Sequence, residues 1–361
     1  MPFPFDPDHY QEQLDTKADR LQALFADRPL PPLDIFASEP SHYRMRAEFR
    51  FWHDGDDAWY AMFNPADPKT PLRVDDFPVA SQRINELMPQ VREAVLSDPQ
   101  LRHKLFQVEF LTTQTGDALI TLLYHRKLDT DWEARARYWQ DQWQAAVIGR
   151  ARKQRLVLDR DYVNETLTIG ERAYHFRQYE NSFTQPNAGV CEQMVSWAKT
   201  HSQGSEGDLL ELYCGNGNFS IPLAENFDRA LATEISRVSV NSAQHNIAAN
   251  EIDNLRIARM SSEDFSAAWL GQTQSRRLRE WQVDDYDFRT LLVDPPRAGL
   301  DADTIALAKR FERIIYISCN PETLAQNVAD LGKDYRIEAA ALFDQFPYTD
   351  HMEAGLVLSR A

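Results

Sequence analysis

The chain has 361 residues, 43% apolar and 26% charged, with a formal net charge of −16 from 39 basic and 55 acidic side chains. That length exceeds a usual single core and predicts two domains, while the acidic excess argues against indiscriminate nucleic-acid binding through bulk charge. No apolar run is long enough to span a bilayer and the opening MPFPFDPDHYQEQ has no hydrophobic signal core, so a cytoplasmic protein without membrane contact is expected.

In chain order, residues 8–25 read as an amphipathic helix that ends at the proline-rich segment 28–32. Two strands, 43–52 and 58–63, follow around a turn at Asp54, Gly55 and Asp56. Arg44, Arg46 and Arg50 alternate with Tyr43, Met45 and Phe49, which predicts one sheet face for the arginines. A helix over 81–95 precedes a second hairpin, 106–112 and 118–125, turned at Gly116 and Asp117. Another helix over 130–145 and short strands over 154–158 and 173–177 complete a half of antiparallel α+β type. Basic clusters gather in this half: His125, Arg126 and Lys127; Arg150, Arg152, Lys153 and Arg155.

Near residue 178 the pattern changes to regular alternation of strand and helix, so the expected domains are 1–178 and 179–361. Helix 189–200 leads to strand 209–214, helix 219–225, strand 230–233, helix 237–250 and strand 254–259. Strand 290–293, helix 302–309, strand 314–317, helix 322–331 and strands 336–343 and 355–358 follow. This predicts a mostly parallel, doubly wound α/β sheet.

Three stretches of that half carry candidate chemistry. Ile314 to Ile317 read as a buried strand that ends at Ser318, Cys319, Asn320 and Pro321, putting Cys319 at a strand's carboxyl end beside a helix N-terminus. Exposed N–H groups there favour a thiolate, although free cysteine is also a common core residue. The run from Leu209 to Phe219 places Gly215 and Gly217 in a turn after a strand, and Glu234 ends the next strand, where a carboxylate can accept from ribose hydroxyls. Ser220 stands where a dinucleotide fingerprint has its third glycine, and acidic Glu211 suits a cation, so S-adenosylmethionine is favoured over a dinucleotide. Finally, Asp294, Pro295, Pro296 and Arg297 form a rigid turn where a planar substrate would lie. Cys191, Cys214 and Cys319 are too few for a four-cysteine zinc or iron–sulfur site, and no metal is expected.

With E-L-Y-C-G-N-G-N-F-S, D-P-P-R, S-C-N-P and H-M-E in this order, the chain resembles the RNA uracil-5-methyltransferases. SHYRMRAEFR, LRHKLFQ and LLYH extend the likeness to the tRNA-acting, ribothymidine-forming branch. The resemblance implies a C-terminal Rossmann-like S-adenosylmethionine-dependent methyltransferase domain and an N-terminal α+β RNA-binding domain with an antiparallel sheet. It implies methylation of C5 of the T-loop uridine at position 54 in tRNA, with other RNAs that carry a T-loop-like hairpin as further substrates. A monomer is expected. Uracil C5 is a poor nucleophile, so Cys319 would add to C6, and Glu353 of DHMEAG would remove the C5 proton afterwards. Taken alone, Glu353 reads as a loop carboxylate before the last strand. Asp294 would hold the uracil edge, and Arg297 would contact RNA.

The family pattern carries cofactor binding onto Gln185, Tyr213, Gly215, Asn218, Glu234 and Asp294. Cys191 and Cys214 are assigned to packing, and His351 to structure. A target base in a folded loop must leave its stack, so Phe106, His125 and Phe183 are candidate stacking partners. Arg44, Arg46 and Arg50 would hold phosphates. Other readings remain open at this stage: methylation of ribosomal RNA or tmRNA, an exocyclic-amine methylase, or a non-catalytic RNA-binding protein.

Overall fold

A computed structural model describes residues 4–64 and 66–361. The chain divides into two compact units, and the division is not a single cut. Unit 1 comprises Glu39–Thr166 and Arg177–Ala188, with residues 4–8. Unit 2 comprises His9–Ser38, Leu167–Phe176 and Gly189–Ala361. The sequence reading placed residues 9–38 and 167–176 in the first domain; in the structure they group with the second.

Packing explains the reassignment of 9–38. The helix Tyr10–Leu24 buries Leu14, Ala18 and Leu21, which join Phe25 in the same apolar core as Leu210, Tyr316 and Leu356. The strand Leu33–Phe36 then pairs in parallel with Tyr335–Phe343, with Phe36 opposite Phe343 and their rings stacked at 4.9 Å. An amphipathic face shows that a helix packs, not against which core.

Unit 1 is built on a seven-stranded sheet in the order Asp67–Val74, Asp57–Asn64, Arg46–Asp54, Leu105–Thr112, Ala118–Tyr124, Ala146–Ala151 and Gln154–Val157. All neighbours are antiparallel except Ala118–Tyr124 with Ala146–Ala151, which the intervening helix Thr130–Trp143 allows to run parallel. Along Arg46–Asp54 burial alternates: Ala47, Phe49 and Phe51 are buried, whereas Glu48, Arg50 and Trp52 are exposed. The helix Gln82–Ser97 starts at Ser81, whose side chain accepts from the Ile84 N–H, and it buries Ile84, Leu87, Met88 and Val91.

Unit 2 holds an eight-stranded sheet. Setting aside the edge strand Leu33–Phe36, its strands in chain order are Asp208–Leu212, Ala230–Glu234, Leu255–Arg259, Phe288–Val293, Arg313–Ser318, Tyr335–Phe343 and Glu353–Arg360, arranged 3-2-1-4-5-7-6. The first five run parallel, their apolar runs buried on both faces. Glu353–Arg360 is antiparallel to both its neighbours. Its first residue therefore lies at the sheet end where the parallel strands finish.

Candidate active site

Cys319 follows the last residue of the strand Arg313–Ser318 and stands two residues before the helix Pro321–Leu331. Local chemistry fixes that junction. Asn320 caps the helix by accepting from the Glu322 N–H at 3.2 Å, and Pro321 supplies a first-turn residue with no donor to satisfy. The Ser318 hydroxyl accepts from the Asn320 N–H at 3.2 Å and donates to its carbonyl at 3.0 Å. Cys319 is half-buried. Its thiol is pushed up to about 11 by burial, then by Glu353 and Asp294, while Arg297 and its own backbone N–H pull it down. The helix N-terminus was expected to favour a thiolate; in the free protein burial and two carboxylates outweigh it.

The same turn carries the second stretch. The Arg297 carbonyl accepts from Asn320 Nδ2 at 3.0 Å and from the Thr323 hydroxyl at 3.3 Å, so the Asp294–Arg297 turn is tied to the start of the Cys319 helix. Asp294 ends up half-buried, with burial raising its carboxyl to about 7. The Arg297 side chain is exposed, and its Nη2 lies 2.9 Å from His351 Nδ1.

Glu353 is not in a loop. It opens the final strand opposite Phe343, and its neighbour Ala354 pairs with Ser318. The side chain is only 3% exposed and its Oε2 has no hydrogen-bond partner among the described residues. Burial raises its pKa well above the ordinary carboxylate value, Asp294 adds to this, and Arg297 opposes it. Cys319, Asp294, Arg297 and Glu353 thus form one electrostatically linked group.

A second cluster lies at the end of the first strand. The strand stops at Leu212 rather than 214, because Tyr213 adopts φ 64, followed by Gly215 at 56 and Gly217 at 85. A bulky residue in the left-handed region is strained, and such strain concentrates at ligand sites. A Cβ on Gly217 would come within 2.9 Å of Ile221 Cδ1, so a side chain there would also require Ile221 to shift. Glu234 ends the second strand; its oxygens accept from the Gly215 N–H at 3.0 Å and the Ser236 N–H at 2.7 Å, which ties it to the glycine turn. Asn218 donates to Cys191 Sγ at 3.2 Å, so Cys191, read as packing, also orients a cofactor candidate.

One residue here has no signal in the sequence. Ile235, directly after Glu234, is 65% exposed, an apolar surface beside the acidic one. Glu211, the acid whose place in the sequence suits a cation, is 1% exposed, and its carboxylate oxygens have no hydrogen-bond partner among the described residues; burial pushes it up to about 8, with Asp294 and Glu234 adding to the rise and Ser220 opposing it. A buried carboxylate without donors suits a cationic ligand. Together with a glycine turn, a ribose-accepting acid and an apolar ledge, it fits S-adenosylmethionine. Gln185 belongs to unit 1, half-buried, with its Oε1 lacking a partner among the described residues.

The RNA candidates other than Arg297 also lie in unit 1. Arg50 Cζ sits 3.5 Å from the centroid of the Phe106 ring, and Phe106 stacks on His125 at 3.9 Å and 29°. Phe106 and His125 line a cavity of about 980 Å³ together with Arg126, Lys127, Arg150, Arg152 and Lys153. Phe183 is 75% exposed. Arg44 departs from the expected alternation: the strand begins at Arg46, and Arg44 bridges Ala80 and Asn187 with its Nε donating to the Arg46 carbonyl at 2.8 Å. Arg46 donates to the Ser182 carbonyl at 3.0 Å.

The 3-2-1-4-5-7-6 sheet with its antiparallel seventh strand, and the cofactor end just described, define an S-adenosylmethionine-dependent methyltransferase. The tRNA (uracil-5-)-methyltransferase family profile matches residues 9–361. The chain belongs to that family, and is an S-adenosylmethionine-dependent tRNA (uracil-C5)-methyltransferase. It is 56% identical over 360 residues to a tRNA/tmRNA (uracil-C(5))-methyltransferase of Chromohalobacter salexigens, covering 98% of this chain and 96% of the relative. A protein of the same description from Shewanella sediminis is 52% identical, with 98% of each covered. The fold resembles the crystal structure of Pyrococcus abyssi tRNA (uracil-54, C5)-methyltransferase in complex with S-adenosyl-L-homocysteine, with a TM-score of 0.73 and 20% identity over 97% of this chain and 83% of that one. Among the described residues no helix is long and apolar enough to cross a membrane, and no group of three or more His, Cys, Asp or Glu side chains is placed to hold a metal ion.

Proposed function

We propose that the chain methylates C5 of the T-loop uridine at position 54 of tRNA, through a covalent bond between Cys319 and C6, with Glu353 as the base. It would act as a cytoplasmic monomer that recognises the T arm. The observation that carries this reading is the antiparallel register that seats Glu353 at the sheet end occupied by Cys319. Relatives described as tRNA/tmRNA (uracil-C(5))-methyltransferases support tmRNA as a second substrate, where a T-loop-like hairpin would be the target.

In this reading Cys319 loses its proton to solvent from its half-exposed position, with Arg297 and the local N–H groups stabilising the thiolate. The sulfur bonds to C6, and the C5–C6 π electrons move onto C5 and the neighbouring carbonyl. Asp294 holds the uracil edge. Bound S-adenosylmethionine supplies an electrophilic methyl group. Tyr213, Gly215, Asn218 and Glu234 hold the cofactor, and Glu211 faces its positive charge. Once C5 is methylated, a Glu353 oxygen takes the C5 proton; the C–H electron pair restores the double bond, and the Cys319–C6 bond breaks to return the thiolate.

Unit 1 supplies the RNA grip. His125, backed by Phe106, offers its outer face to a base that leaves its stack, Phe183 offers a further exposed ring, and Arg44, Arg46 and Arg50 meet the backbone, as Arg297 of unit 2 does beside Cys319. The test is incubation with tRNA containing 5-fluorouridine, whose fluorine cannot leave as a cation. Wild type should form a stable covalent complex, and Cys319→Ala none. A complex that persists in Cys319→Ala would overturn the assignment.

A further inference from the structure

The segment 344–352 leads directly into Glu353, and it is unusual among connections in being partly buried: Asp344 and Gln345 are 0% exposed and Met352 is 1%. The helix Tyr10–Leu24 grips it along its length. Tyr10 Oη and Gln13 Nε2 each donate to Asp344 Oδ2 at 2.8 Å, and Lys17 Nζ donates to Asp344 Oδ1 at 2.6 Å. Lys17 also donates to the Phe346 carbonyl at 2.9 Å, and Arg20 to the Asp350 carbonyl at 2.9 Å. The Tyr10 ring meets Tyr348 edge-on at 6.0 Å. Arg20 further pairs with Glu322, in the first turn of the Cys319 helix.

Stability alone is a poor account of this arrangement. Lys17 is 4% exposed, and a buried ion pair is often no more stabilising than apolar side chains of the same volume. Burial opposes the charge on Lys17, with Asp344 and Asp350 holding it. What the ion pair gives, and an apolar contact does not, is a fixed direction. Three side chains from successive turns converge on one carboxylate, nine residues ahead of the base, and two more bonds fix the backbone in between.

We propose that Tyr10, Gln13 and Lys17 are positioning residues that hold Glu353 in register with C5 of the Cys319-bound pyrimidine, so that the N-terminal helix governs proton removal rather than cofactor or RNA binding. The proposal rests on the reading of Glu353 as the base. It predicts a separation of steps. Addition of Cys319 and methyl transfer precede proton removal, so loosening the strap should spare the first two and slow the third.

The experiment compares Lys17→Met with wild type and Glu353→Gln. On 5-fluorouridine tRNA, Lys17→Met should be trapped at the wild-type rate. On ordinary tRNA with methyl-labelled cofactor it should accumulate the methylated covalent complex and release product more slowly, by up to about 100-fold if the base is displaced by 1 Å. Tyr10→Phe combined with Gln13→Leu leaves the ion pair intact and should show the same separation to a smaller degree. Its S-adenosylmethionine affinity and melting temperature report folding. Equal slowing of trapping and release, or no change in either, in a folded variant would overturn the proposal. Rapid release by Glu353→Gln would instead remove the base assignment itself.

Discussion

Cys319 and Glu353 reach one end of the catalytic sheet from strands of opposite direction: Cys319 follows Ser318 at a strand's end, and Glu353 precedes Ala354, the residue that pairs with Ser318. Proximity is set by main-chain register, not by a flexible loop. It also imposes a conflict, because the carboxylate that would collect the C5 proton raises the pKa of the thiol that must ionise first.

That conflict is measurable by thiol alkylation. The Cys319 pKa of about 11 owes part of its rise to Glu353. Glu353→Gln removes the charge and keeps the shape, so its midpoint for iodoacetamide reaction at Cys319 should fall below the wild-type value. Arg297→Met removes a cation and should move it upward. A midpoint that is unchanged in Glu353→Gln would show that the two side chains do not sense each other. The buried Cys214 thiol is itself raised well above its ordinary value, and Cys319→Ala provides the blank.

Glu211 makes stability depend on pH in a defined direction. Its folded pKa of about 8 exceeds the ordinary carboxylate value of 4.5, so the folded state holds a proton that the unfolded chain gives up. The unfolded state therefore gains as pH rises from about 4.5 towards 8, and stability falls across that window. Glu211→Gln should raise the melting temperature clearly at pH 8 and little at pH 5. S-adenosylmethionine, which brings positive charge to the carboxylate, should stabilise wild type more than the variant. A melting gain of the same size at both pH values would mean that the carboxylate is not held neutral by burial.

Alternation of strand and helix, the glycine turn, Glu234 and the Cys319 junction are visible in sequence because each rests on local pattern: apolar runs, Gly215 and Gly217, and the Asn320–Pro321 helix start. What escaped depends on partners distant in the chain. The strand Asp67–Val74 contains Pro68 and Pro71, which demote a strand signal, and its place at the sheet edge is what tolerates them. Leu33–Phe36 is too short to register without Tyr335–Phe343 beside it. Glu353 reads as loop because Asp350, His351 and Met352 lack alternation, and only pairing with Phe343 extends the strand to it. The left-handed Tyr213 has no sequence sign, since that conformation is rare for a tyrosine.

The Arg50–Phe106–His125 stack separates two ways of gripping RNA. Phe106 touches both other members, so Phe106→Ala removes the support of the His125 ring and should weaken binding of a T-arm hairpin by up to about 1–3 kcal/mol, the usual value of one base–aromatic stack. Stacking releases no counterions, and the slope of log Kd against log salt should stay at the wild-type value. Arg50→Met keeps a side chain over the ring and removes the charge. It should lower that slope by roughly 0.7–0.9, the share of one phosphate contact. Anisotropy titrations between about 50 and 200 mM salt read both quantities. If Phe106→Ala changes the slope and not the affinity at fixed salt, the ring merely supports the arginine. If neither variant changes either quantity, the stack lies outside the RNA path.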